Sequence, residues 1–138
     1  MHVLVAIVAF RNTADVVKCL MALSKSTHVD FEVTICENGG REAFVKVTAN
    51  CPATLSGGQH VQYIEAPGNL GYAGGVNVCV GAAAKAYDAV WVLNPDTEPA
   101  PEALAALVAG LTSCDAVGGR LLMSDGRLQN WGDRKSVV

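Results

Sequence analysis

The stretch "DAVWVLNPDTEPAPEALAALV", residues 88–108, decides the fold. An apolar run, Ala89 to Leu93, stops abruptly at Asn94-Pro95-Asp96-Thr97. Pro95 fixes its own φ and biases Asn94 toward an extended conformation, so strand geometry persists through Asn94. A helix then starts near Pro99 or Pro101, with Pro and Glu102 in its first turn and Leu104, Leu107, Val108 and Leu111 as its buried side. Strand, polar turn and helix in immediate succession make half of a βαβ unit.

Working outward, the same rhythm fills the chain. Further strands are predicted at Val3 to Phe10, Phe31 to Glu37, His60 to Glu65 and Ala116 to Met123. Their starts recur at about thirty residues, the length of a βαβ unit. Between them, Thr13 can cap a helix whose stripe is Val16, Val17, Leu20, Met21 and Leu23. A weaker helical pattern covers Glu42 to Thr48, and a third helix runs from about Tyr72 to Tyr87. The expected class is α/β, a mostly parallel twisted sheet with helices on both faces. The first and fourth strands are apolar at successive positions and are expected to be central neighbours. The second and third carry more polar residues and are expected nearer an edge. The strand order then reverses between the first and fourth, and ligands bind outside the carboxyl ends of strands at such a switch point.

Bulk properties narrow the function. The chain has 138 residues, enough for one domain with one core. It is 51% hydrophobic and 17% charged with net charge −3, so it is globular and has no basic stripe for nucleic acid. The longest apolar run, Val3 to Phe10, is too short to cross a bilayer. Met1-His2 lacks the basic start of a signal peptide. A cytoplasmic protein is expected, with peripheral docking at the inner membrane face left open. Cys19, Cys36, Cys51, Cys79 and Cys114 form no CxxC and are expected to be buried reduced thiols. His2, His28 and His60 have no ligand spacing.

Polar clusters gather at the carboxyl ends of the predicted strands: Phe10-Arg11-Asn12, Glu37-Asn38-Gly39-Gly40, "PGNLGYAGGVN" at 67–77, and Asn94-Pro95-Asp96. Glu37 stands where a carboxylate meets a nucleoside's ribose or base, or else it is a solvated turn acid. Gly71, Gly74 and Gly75 at a strand-to-helix junction let a ligand approach the backbone, at a cost in helix stability. Asp96 in its stiff turn either caps the next helix or binds Mg²⁺ or Mn²⁺, ions that take one or two protein carboxylates plus substrate phosphates. Its company on the same sheet edge favours the metal.

"VAIVAFRN", "ICENGG", "NLGYAGGVN", "VLNPDTEPAPEALAAL" and "AVGGRLLMSDG" together resemble glycosyltransferase family 2, in its rhamnosyltransferase-like branch, from Val3 to about Gly132. The resemblance implies a GT-A fold, the Rossmann-like nucleotide-binding half, and an inverting transfer from a UDP-, dTDP- or GDP-linked sugar to a saccharide or lipid-linked acceptor. It implies that Ala9, Phe10 and Arg11 line the base and ribose pocket, and that Glu37 accepts a hydrogen bond from the pyrimidine or ribose. Asn69, Gly71 and Gly74 would complete the nucleoside pocket. Asn94 and Asp96 would stand at the family's DXD motif, with Asp96 on the divalent cation. Two residues depart from the pattern: Glu37 replaces the usual Asp, and Asn94 the first Asp of DXD.

Family members of this type are about twice this length, their second half carrying the acceptor site and the catalytic base. The chain is therefore expected to be one donor-binding domain cut short of that half. The late carboxylates Asp125 and Asp133 have no family motif around them, and no catalytic base is assigned. The alternative function is a nucleotide-binding or protein-interaction piece without turnover. An apolar patch left bare by the missing half could drive homodimerisation. A sugar nucleotidyltransferase ranks low, because "AFRNTADVV" lacks the glycine-rich loop after the first strand.

Overall fold

The computed structural model describes residues 1–130. Gly132, near which the family resemblance ends, and Asp133 lie outside the described residues. Strand β1 (Val3–Ala9) leads to helix α1 (Thr13–Leu23), then β2 (Phe31–Glu37), α2 (Arg41–Asn50), β3 (Val61–Glu65), α3 (Gly71–Gly81), β4 (Ala89–Leu93) and α4 (Ala103–Gly110). A short ribbon of β5 (Leu121–Leu122) and β6 (Leu128–Asn130) follows.

The sheet has the order β3-β2-β1-β4, and every pairing in it is parallel. In β1, Val3 faces Phe31 of β2 on one side and Ala89 of β4 on the other. The expected reversal between the first and fourth strands is therefore present. Parallel neighbours need crossovers, and each crossover here carries a helix. Odd residues of β1 (Val3, Val5, Ile7, Ala9) join Val16, Cys19, Leu20 and Leu23 of α1, Val47 of α2 and Leu104 of α4 in one core. On the opposite face Ala6 and Cys36 meet Cys79 of α3. Small residues line that second layer because α3 lies close to the sheet. A Cβ on Gly75 would come within 2.6 Å of Val8 Cγ1. Gly75→Ala is therefore expected to lower stability by about 1–3 kcal/mol, the usual cost of overpacking. Urea denaturation should register it as a lower midpoint with an unchanged slope.

Several elements differ from expectation for identifiable reasons. Strand β2 is inside the sheet and buried at all seven positions, although its sequence alternates. Its buried Glu32 is satisfied by the Ala84 N–H at 3.1 Å, so a polar residue coexists with a buried face. That contact also accounts for the end of α3 at Gly81 and not at Tyr87, since Ala84 is held by the sheet. Strand β4 neighbours β1 as expected but forms the edge of the sheet among the described residues, with Val90 37% and Val92 44% exposed. The segment from Ala116 adds no strand to it, because Leu121–Leu122 pair antiparallel with β6 instead. In α1 the buried stripe runs through Cys19, while Met21 is exposed. Asn12, not Thr13, is the N-cap, and its side chain accepts from the Phe10 N–H instead of capping the helix.

Candidate functional site

All four polar clusters lie at the carboxyl edge of the sheet, as the parallel order requires. Glu37 closes β2 and is fully buried. Its Oε1 accepts two backbone bonds, from the Arg11 N–H at 3.0 Å and the Gly39 N–H at 2.7 Å. Its Oε2 is buried with no hydrogen-bond partner among the described residues. Buried polar atoms are normally satisfied, so Oε2 is an acceptor still lacking a donor.

The clamp explains the turn after β1. Among the described non-glycine residues only Arg11 has a positive φ, 56°. Such a conformation costs about 1–3 kcal/mol and persists only where the surroundings enforce it. Glu37 holds Arg11 by its amide, and Arg11 Nε donates to the Gly39 carbonyl at 3.1 Å. The guanidinium lies 5.3 Å from the centre of the Phe10 ring, a cation–π stack on an aromatic that is half exposed. Gly39 must be glycine, because a Cβ there would lie 2.5 Å from Arg11 Cγ and 2.7 Å from Glu37 Oε1. Ala9 is fully buried, and its carbonyl accepts the Asn38 N–H at 2.8 Å.

Asn38 is a residue the sequence reading left without a role. It is buried, and its Nδ2 donates to the Gly71 carbonyl at 2.9 Å while its Oδ1 accepts the Leu70 N–H at 3.5 Å. It ties the end of β2 to the glycine loop. A polar residue directly between the last strand position and Gly-Gly was the available signal. In the loop, Asn69 Oδ1 accepts the Gly71 N–H at 3.0 Å, and Gly71 has φ 69°. That turn requires glycine. Gly74 lets the first turn of α3 fold over Leu70, whose Cβ would be 2.8 Å from an added methyl.

Beyond β4, Thr97 closes the turn by donating its N–H and Oγ1 to the Asn94 carbonyl at 3.3 and 2.7 Å. Helix α4 starts at Ala103 with Glu102 as its N-cap, so Asp96 does not cap it. The Asp96 side chain is exposed and makes no hydrogen bond among the described residues. It faces Asp15 and Lys18 of α1 across a pocket also lined by Pro95, Thr97 and Glu98. Burial, and next the charge of Asp96, push the Cys19 thiol up to about 12. The same two causes raise Tyr72. Asp96 thus lies beside α1. The Tyr72 hydroxyl donates to Asn94 Oδ1 at 2.6 Å. Lys18 and Tyr72 are further site residues that the sequence reading did not single out.

No group of three or more His, Cys, Asp and Glu side chains is gathered for a metal among the described residues. One exposed carboxylate fits an ion that draws its other ligands from phosphates and water. With strands about 4.8 Å apart and β1 between β2 and β4, the Glu37 and Asp96 ends are separated by roughly 10 Å.

The model of the family described as glycosyl transferase family 2 matches residues 4–136. The chain belongs to glycosyl transferase family 2. No curated protein matches it significantly. The fold resembles that of S. aureus TarS 1-349, with a TM-score of 0.65 and 16% identity over 81% of this chain and 32% of that one. TarS 1-349 in complex with UDP-GlcNAc gives 0.64 and 15%, covering 81% and 31%. The complex with UDP gives 0.61 and 15%, covering 81% and 32%. The chain thus spans about a third of these solved chains. At that identity the likeness concerns the fold, a GT-A sheet with helices on both faces. No helix among the described residues is long and apolar enough to cross a membrane.

Proposed function

We propose that this family 2 chain is the donor-binding domain of a glycosyltransferase that uses a nucleoside-diphosphate sugar, with the acceptor half outside residues 1–138. The observation that carries the reading is the pairing of two free acceptors across the switch point. Glu37 Oε2 is buried without a donor at one end, and the Asp96 carboxylate is unengaged at the other. A nucleoside supplies a ring N–H or ribose hydroxyl to the first, and the second would hold a divalent cation that accompanies its diphosphate.

Each residue then has a task. The Phe10 ring, backed by the Arg11 guanidinium, offers a face for the base. Ala9 supports that turn from inside β1. Asn69, Gly71 and Gly74 shape the loop so that the ligand meets backbone. Asp96, beside Asn94, would hold Mg²⁺ or Mn²⁺, which when bound neutralises charge on the departing diphosphate. Transfer would invert the anomeric centre and send a sugar such as rhamnose to a saccharide or lipid-linked acceptor, at the inner face of a membrane.

The test is thermal unfolding with UDP, dTDP and GDP, each with and without Mn²⁺. Saturation at about a hundred times Kd should add about 2.7 kcal/mol, seen as a rise of several degrees in Tm. A flat result with all three nucleotides overturns the reading.

The bare edge of β4 favours a second reading, a nucleotide-binding piece that docks protein and does not turn over. Beneath Val90 a groove of about 390 Å³ is lined by Trp91, Leu104, Leu107, Val108 and Leu111. Apolar surface of this kind suits another protein or a second copy of the chain. Sugar transfer or hydrolysis by this chain alone excludes it.

A further inference from the structure

We propose that Tyr72 is a positioning residue that turns Asn94 into a hydrogen-bond donor for the diphosphate, and that Asn94 is not a ligand of the cation. The inference rests on the donor-site reading above. Tyr72 stands on the first turn of α3 and reaches across the switch point to the turn after β4. Its hydroxyl donates to Asn94 Oδ1 at 2.6 Å, a short bond that engages the amide oxygen. An asparagine has one acceptor oxygen and one NH₂ donor on opposite sides of its planar amide. With Oδ1 turned to Tyr72, Nδ2 is directed away from it and makes no hydrogen bond among the described residues.

The surroundings explain why this polarity is useful. Asp96 lies two residues on and its side chain is exposed, so the region already carries an anion. A second carboxylate at position 94 would repel a diphosphate whenever no cation is bound. A neutral amide presenting N–H does the reverse. The backbone of Asn94 is fixed independently, by Thr97 N–H and Oγ1 on its carbonyl. Only the side-chain torsions remain to be set, and Tyr72 sets them. The ring of Tyr72 is half exposed, so its own burial gives little reason for the hydroxyl to be there.

Isothermal titration with nucleoside and nucleoside-diphosphate pairs (uridine and UDP, thymidine and dTDP, guanosine and GDP), in EDTA and in Mn²⁺, tests this. In EDTA, Tyr72→Phe should weaken diphosphate binding about five- to tenfold, one neutral hydrogen bond's worth, and leave the nucleoside unchanged. Asn94→Asp keeps an acceptor for Tyr72 but loses the donor, and should weaken the diphosphate further in EDTA while regaining affinity in Mn²⁺. Three results would each overturn the inference: wild-type binding of UDP, dTDP and GDP in EDTA no tighter than of their nucleosides; Tyr72→Phe equal to wild type; Asn94→Asp equal to wild type in EDTA. Equal loss of nucleoside and diphosphate in Tyr72→Phe would reduce the residue to a structural role and also overturn it. If no nucleoside or nucleotide binds the wild type, the donor-site reading fails as well.

Discussion

Glu37→Ala is expected to lower the unfolding free energy by about 3 kcal/mol, and to abolish nucleotide binding under conditions where the protein is still folded. The substitution strands two amides at once, those of Arg11 and Gly39, which Oε1 holds at 3.0 and 2.7 Å. Leaving a buried donor unsatisfied costs about 1–3 kcal/mol each, and partial access of water to this turn keeps the sum toward the lower end. The Arg11 backbone, with φ 56°, would then relax toward negative φ. Relaxation offsets part of the loss, but it moves Phe10 and Arg11 out of register with the glycine loop. For a domain of this size about 3 kcal/mol should lower Tm by roughly 10 °C. Differential scanning calorimetry measures it, and a change below 0.5 kcal/mol would mean that the carboxylate does not hold the turn. Glu37→Gln is the informative companion. It keeps Oε1 as the acceptor for both amides and replaces Oε2 by an NH₂ donor, so it should recover most stability while binding nucleoside poorly.

Asp96→Ala should behave in the opposite way. The side chain is exposed and unengaged, so stability should stay within about 0.5 kcal/mol of wild type. In Mn²⁺ the affinity for the nucleoside diphosphate should fall about thirtyfold, the equivalent of losing roughly 2 kcal/mol of charge pairing. In EDTA the variant should bind the diphosphate at least as tightly as wild type, because an anion near the phosphates has been removed. Titration of the diphosphate at several Mn²⁺ concentrations resolves the two regimes. Retention of the full Mn²⁺ effect in Asp96→Ala would remove this residue from the metal. The Cys19 thiol gives a readout without ligand. Burial is the larger cause of its raised pKa and Asp96 the next, so the variant should bring the thiol back only partway from about 12.

The two variants separate what holds the site from what the site holds. That distinction was only half visible in the sequence. Glu37 and Asp96 both read as carboxylates at strand ends, and nothing in their neighbours said that one is buried and the other bare. The difference arises from strand order. Strand β2 is sandwiched between β1 and β3, so its last side chain is covered by the turn after β1. Strand β4 has one neighbour, and the turn beyond it opens to solvent.

Local patterns alone determined the alternation of strands and helices, the parallel class and the gathering of polar clusters on one edge. These follow from residue period and proline stereochemistry, which act within a few residues. Tertiary structure decided the rest. It placed β2 inside the sheet, against its alternating pattern, paired with both β1 and β3, and met the buried Glu32 carboxylate with the Ala84 amide 52 positions away. Among the described residues it left β4 with β1 as its one partner, while Leu121–Leu122 pair with β6. It converted Glu37 into a clamp for a strained Arg11, gave Asn38 to the glycine loop and joined Tyr72 to Asn94. The contacts of Glu32, Glu37, Asn38 and Tyr72 are hydrogen bonds to residues far apart in sequence, and their partners are set by how the strands pack, not by what lies beside either residue in the chain.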